Sequence, residues 1–189
     1  MSFDKVVVCS GHMIDAPDRA NPRFPASKEE PVRSLIALQL DNWDVGGEDL
    51  AICGGACGAD ILFGEECLRR GASLRLFLAQ AVGDFVRDSV QHAGSDWLRR
   101  FHKLCEKSEV NVLPEPPATE SGDLSIYARV NLLIIETVRQ QAAEGGKLHT
   151  LLVWDEKGTG DGPGGTSDFE ARVRELGARL AIINPIGIC

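Results

Sequence analysis

Apolar runs of four to seven residues alternate with stretches of helical period along the whole chain, and this alternation restricts the fold more than any other feature. Lys5-Val6-Val7-Val8-Cys9 is continuous and β-branched and stops at Ser10-Gly11, as a strand covered on both faces does. Leu50-Ala51-Ile52-Cys53 ends at Gly54-Gly55, and further runs at 74–78, 110–113, 148–154 and 179–183 repeat the pattern. Between them, helical spacing predicts a helix from about Ser27 to Leu40, with Ser27 and Glu30 as a capping box and Val32, Leu35, Ile36 and Leu40 inward. Further helices are predicted from Ala59 to before Gly71, over 84–90 and 96–107, from Asp123 to near Gly145-Gly146, and over 167–176. Strands that alternate with helices in this way make an α/β doubly wound sheet of about six strands with helices on both faces.

The chain has 189 residues, of which 43% are hydrophobic, and no linker or repeat interrupts it, so a single domain over 1–189 is expected. Its formal charge of −8 argues against non-specific nucleic-acid binding and against anionic membrane surfaces. No apolar run approaches the ~18 residues of a membrane span, and Met1-Ser2-Phe3-Asp4-Lys5 lacks the build of a signal peptide, so a cytoplasmic protein is expected. Cysteines in apolar or helical settings, such as Cys9 and Cys53, read as buried thiols of a reducing compartment. Cys53 and Cys57 have no second Cys or His pair to complete four ligands, and no metal or cofactor is expected.

Ligands of open α/β sheets sit outside the carboxyl ends of the strands, where helix N-termini present unpaired N–H groups. That rule selects Ser10-Gly11-His12-Met13-Ile14-Asp15, the turn Gly54-Gly55-Ala56-Cys57-Gly58-Ala59-Asp60, the segment 79–84 and the glycine-rich segment 158–168. Gly54, Gly55 and Gly58 at a strand-to-helix junction let backbone approach a phosphate or ribose, or else serve tight packing. No Gly-Lys-Ser or Gly-Lys-Thr follows, so this is not an ATPase loop. Pro163-Gly164-Gly165-Thr166 opens the last long helix in the same manner, and the two loops are expected to form opposite walls of one site. Asp60 either accepts from ribose hydroxyls or stabilises its own helix N-terminus. His12 reads as a hydrogen-bonding loop residue, and Arg19 and Arg23 either fold over a bound anion or sit in an exposed loop. Cys57, at a helix N-terminus, reads either as a thiol of lowered pKa or as a buried one.

These motifs, together with the helical Tyr127-x-Arg129 and Asn131, resemble the SLOG superfamily over nearly the whole chain. That group includes the Lonely Guy phosphoribohydrolases, the DNA-processing protein A fold and nucleotide-sensing SLOG domains. The resemblance implies a Rossmann-like, mostly parallel sheet that holds a nucleotide-derived small molecule on Ser10, Gly11, Gly54, Gly55, Gly58, Asp60, Arg129, Gly164, Gly165 and Thr166. It also implies a homodimer. In the enzymes of the group an arginine and a glutamate cleave an N-glycosidic bond of a nucleoside monophosphate. Arg129 matches the arginine, whereas Phe169 stands where the Gly-Thr-x-x-Glu pattern has its acid.

Asp168 and Glu170 flank that gap as candidate catalytic carboxylates. Glu170 also reads as the far half of a capping box with Ser167, and Asp168 as a first-turn acid that favours the helix dipole. Binding or sensing of a nucleotide-derived molecule is therefore the leading expectation. A nucleoside-monophosphate N-glycosidase using Arg129 with Asp168 or Glu170 is the alternative, and an oligomerisation or docking module with a vestigial pocket is a third reading.

Overall fold

The computed structural model describes residues 3–114, 125–157 and 165–188. Its strands are β1 (Lys5–Gly11), β2 (Leu50–Cys53), β3 (Ser73–Leu78), β4 (Glu109–Val112), β5 (Lys147–Val153) and β6 (Arg179–Ile183). They form one sheet in the order β4-β3-β2-β1-β5-β6, and every neighbouring pair is parallel. Val6, Val7, Val8 and Cys9 are all buried, which is why β1 reads as an unbroken apolar run rather than an alternating one. The longest pairing, Lys5 with Lys147 through Gly11 with Val153, sets β1 and β5 side by side at the centre of the sheet.

The helices are α1 (Glu29–Asn42), α2 (Ala59–Arg69), α3 (Val82–Ser89), α4 (Ser95–Cys105), α5 (Ile126–Ala143) and α6 (Thr166–Glu175). Strand addition runs outward from β1 to β4 and then reverses to β5 and β6. Right-handed crossovers place the helices before and after such a reversal on opposite faces. Accordingly α1, α2 and α4 pack on one another, and α5 and α6 pack on each other across the sheet. The fold is the Rossmann-like one that the resemblance implies.

Two local expectations are corrected, and a third falls partly outside the described residues. Residues Ala26–Lys28 form a 3-10 turn, and α1 begins at Glu29 with Lys28 as an N-cap that gives no side-chain hydrogen bond, so Ser27 and Glu30 form no capping box. Likewise α6 begins at Thr166 with Gly165 as its N-cap, which puts Ser167 inside the first turn and leaves Glu170 to pair with Arg174. The start of the long helix at Asp123 lies outside the described residues; within them, the Ser125 hydroxyl caps α5 by accepting from Ala128 N at 3.1 Å. No helix among the described residues is long and apolar enough to cross a membrane.

The faces of the central helix α2 are nearly all inside. Ile61, Leu62, Phe63 and Cys67 pack into the core, and Gly64 admits α4, since a Cβ there would lie 3.1 Å from Leu104. Charge on the outer side of α2 is paired rather than solvated. Arg100 of α4 donates to Glu65 at 2.8 Å and to Glu29 at 2.7 Å while stacking on Trp97, and Arg70 joins Glu66 to Asp41.

Candidate functional site

Because β1 leads to α1 on one face and β5 leads to α6 on the other, the chain parts at the carboxyl ends of these two neighbouring strands. Such a switch point leaves a crevice. Here the crevice is a cavity of about 580 Å³. Its floor is the end of β1 from Cys9 to Asp15, and its walls come from the β2–α2 turn, from α5 and from the start of α6.

The β2–α2 turn carries a finding that glycine spacing does not reveal. Asp60, in the first turn of α2, folds its carboxyl back toward the N–H groups of Gly54, Gly55 and Ala56, and Ala56 N donates to Oδ2 at 3.1 Å. Gly54 is glycine for this reason: a Cβ there would lie 2.9 Å from Asp60 Oδ2. The amide cradle that was expected to receive a ligand anion is thus already filled by the protein's own carboxyl. Burial outweighs the help of the three amides and pushes the Asp60 pKa up to about 7, with 8% of the residue exposed.

The remaining glycines of this wall divide by role. Gly11 and Gly54 line the cavity, whereas Gly55 and Gly58 do not. Gly58, at φ 100°, is needed for packing: a Cβ would sit 2.7 Å from Ile14 N and 2.8 Å from His12 O, where Met13 and Gly58 bridge the two loops. Gly55, at φ 83°, points at Leu78 and Phe101 in the core.

Opposite stands the N-terminus of α6. Gly165 and Thr166 both line the cavity, and the N-cap residue, Gly165, has no side chain with which to cap the helix. Thr166 is 7% exposed, and the exposure it keeps is to the cavity it lines. A hydroxyl in the first turn of a helix is equipped to donate to an anion beside the helix N–H groups. Gly164 lies outside the described residues. Ser10 lines the floor.

Over the mouth runs the segment between β1 and α1. Asp15 folds it: Asp15 Oδ2 accepts from Arg23 N and Phe24 N, each at 2.8 Å, and Phe24 is fully buried. Arg19 and Arg23 line the cavity from this folded segment. Arg23 Nη2 lies 2.6 Å from His12 Nδ1, and His12 Nε2 lies 3.0 Å from Asp155 Oδ1 just beyond β5. Guanidinium only donates and carboxylate only accepts, so Nδ1 accepts from Arg23 and the proton sits on Nε2. Burial works to raise the Asp155 pKa, but the His12 and Lys157 N–H donors outweigh it and hold the carboxyl below the usual range. Both imidazole nitrogens of His12 are engaged in holding the segment to β5, so His12 is a structural clasp.

The three residues considered for bond cleavage do not meet here. Tyr127, Val130, Asn131 and Ile134 line the cavity as one stripe of α5, and Arg129 falls off it to donate to Pro114 O at 3.2 Å. Asp168 pairs with Arg172 at 3.0 Å and Glu170 with Arg174, and neither lines the cavity. Phe169, between these two carboxylates, is 0% exposed and belongs to the core. Cys57 is the buried thiol of the two readings, and burial pushes its pKa up to about 12. Its neighbour His92 approaches it at 3.5 Å but turns the same Nε2 to the Ile14 carbonyl at 3.0 Å, so that nitrogen carries a proton and takes none. Among the described residues no cluster of His, Cys, Asp or Glu is arranged to hold a metal ion.

Two features of this site went unread in the sequence. Asp155 follows the β5 run directly and so occupies a post-strand position, which is the signal that could have found it. His92 and Ser89, also on the wall, carry no such signal.

No protein-family model matches the chain, and no curated protein matches it. Among solved structures, the fold is similar to that of TM1055, a structural-genomics target, at 13% identity and a TM-score of 0.46 over 93% of this chain and 72% of that one. It is likewise similar to DNA processing protein A (DprA) from Streptococcus pneumoniae, at 15% identity and a TM-score of 0.44 over 96% of this chain and 59% of that one.

Proposed function

We propose that the cavity binds a nucleotide-derived small molecule, with its anionic group at the start of α6, and that the protein serves as a binding or sensing unit rather than a hydrolase. The observation that carries this reading is the position of Thr166, a largely buried hydroxyl residue on the cavity wall in the first turn of a helix whose N-cap is a glycine. The cavity, at about 580 Å³, is of the size small-molecule sites have, and Ile14, Phe77, Phe85 and Tyr127 give it apolar and aromatic surface for a base. Arg19 adds positive charge from above. Binding without cleavage follows from the outward pairing of Asp168 and Glu170 and the off-stripe position of Arg129.

Thermal-shift titration with nucleoside mono- and diphosphates, cyclic nucleotides, NAD and ADP-ribose tests the reading. At least one of them is expected to stabilise the protein saturably, and Thr166→Val to weaken that ligand about tenfold, the worth of one hydrogen bond to a charged group. A folded sample that none of them stabilises contradicts it.

A further inference from the structure

We infer that Asp60 makes the β2–α2 wall of the cavity a hydrogen-bond acceptor, selecting a ligand that presents sugar hydroxyls there, and that this wall takes no phosphate. The inference rests on the reading of the cavity as a nucleotide-derived ligand site and deepens it by assigning what its second wall recognises.

A glycine-rich turn after a parallel strand ordinarily offers its amides to a ligand anion. Here Gly54, Gly55 and Ala56 offer theirs to the Asp60 carboxyl, and Gly54 lacks the Cβ that would push that carboxyl away. The arrangement is built into the chain, and it reverses the sign of the wall. A second anion brought to the same turn would find the donors taken and a carboxylate in front of them.

What remains for the ligand is the carboxyl itself. Asp60 is buried yet lines the cavity, so its residual exposure is to the ligand space. A desolvated carboxylate oxygen binds a donor strongly and loses much when none is offered. Two kinds of donor compete for it, a cationic amine and a neutral hydroxyl. Arg19, partly offset by Asp15 at 3.4 Å, and Arg23 face the same cavity, and the positive end of the α6 dipole closes it, so the surrounding charge favours a neutral donor over an ammonium. Hydroxyls carry no such penalty. With Oδ2 given to the amides, the other carboxylate oxygen, with two lone pairs, is left to accept from hydroxyls of a sugar ring.

The wall therefore discriminates between nucleotides that keep and that lack their ribose hydroxyls. Calorimetric titration of the full chain with AMP and with 2′,3′-dideoxyadenosine 5′-monophosphate tests this, on the wild type and on Asp60→Asn. Asparagine can keep its oxygen toward the three amides while placing an NH2 group in the cavity, and a melting curve for each protein verifies the fold. The wild type is expected to bind AMP at least tenfold more tightly than the dideoxy nucleotide. Asp60→Asn is expected to weaken AMP about tenfold, to leave the dideoxy nucleotide within about threefold, and so to collapse the ratio. Equal binding of the two nucleotides by the wild type, or an unchanged ratio in a folded Asp60→Asn protein, overturns the inference and leaves the cavity reading standing. Should the wild type bind neither nucleotide nor any other of the thermal-shift panel, the cavity reading falls and this inference falls with it. If Asp60→Asn does not fold, the wild-type ratio decides alone.

Discussion

His12 Nε2 stands 3.0 Å from Asp155 Oδ1, across 143 residues of sequence, and joins the carboxyl ends of the two strands between which the cavity opens. With Arg23 on its other nitrogen, the imidazole ties the segment over the mouth to the floor beneath it. His12 itself is 4% exposed, so the pairing is shielded from water.

Replacing His12 by Leu removes the shared partner of a buried carboxylate and a guanidinium. The expected cost is about 2–4 kcal/mol of stability, measured by urea unfolding, because an orphaned buried charge is costly. Hydrogen exchange is expected to quicken at the amides of 16–22, whereas those of Arg23 and Phe24 stay slower because Asp15 holds them. Unchanged stability and exchange would show that the clasp holds nothing.

Gly58→Ala is expected to destabilise the protein by about 2–4 kcal/mol, since it adds a Cβ against Ile14 N and His12 O at a φ of 100°. Gly83→Ala, where a Cβ would meet nothing within 4 Å, serves as the control and is expected to be neutral or slightly stabilising. Equal melting temperatures for the two variants would refute the packing role given to Gly58.

Much of this fold is legible in the sequence because both faces of the sheet are covered. That makes Val6-Val7-Val8 and Leu151-Leu152-Val153 continuous apolar runs, and helices must alternate with them. Chain ends of elements shift by a residue or two, as where β1 continues through Ser10 to Gly11 because Val153 lies beside it. The site is less legible. Glycine spacing is the same whether a ligand's phosphate or the protein's own Asp60 fills the amides. Arg129 is a different matter: two residues after Tyr127 it lies about 200° around the helix, so a stripe of Tyr127, Asn131 and Ile134 already excludes it. The partnership of His12 with Asp155 is set by tertiary structure alone.

The raised pKa of Asp60 gives a pH dependence of defined sign. The folded state holds this proton more tightly than the unfolded chain, in which an aspartate titrates near pH 4, so the stability it contributes is present at low pH and lost as pH rises toward about 7. The full effect is on the order of 4 kcal/mol at most. Asp60→Asn is expected to lose this slope, so the stability of the variant relative to the wild type rises from pH 4 to 7 and then levels. A difference that is flat across this range would contradict the burial argument.

Placing a carboxyl at 169 with Phe169→Glu is expected to unfold the protein rather than confer cleavage. The side chain at 169 is fully buried against the core, and a carboxylate there has no partner. Urea unfolding is expected to show a loss above about 4 kcal/mol, and chromatography of AMP incubated with the variant is expected to show no free base. A stable variant that releases adenine would reverse the reading of α6.

The most direct measurement of the central claim is a backbone amide NMR titration of the full chain with the panel nucleotide that stabilises it best. Saturable shifts are predicted at Thr166, Ser167, Gly54 and Asn131, the two cavity walls and the stripe of α5 that faces them. Saturable shifts confined to the separate groove between α1 and β6, around Leu38 and Ile182, or no saturable shift with any panel nucleotide, would contradict the account.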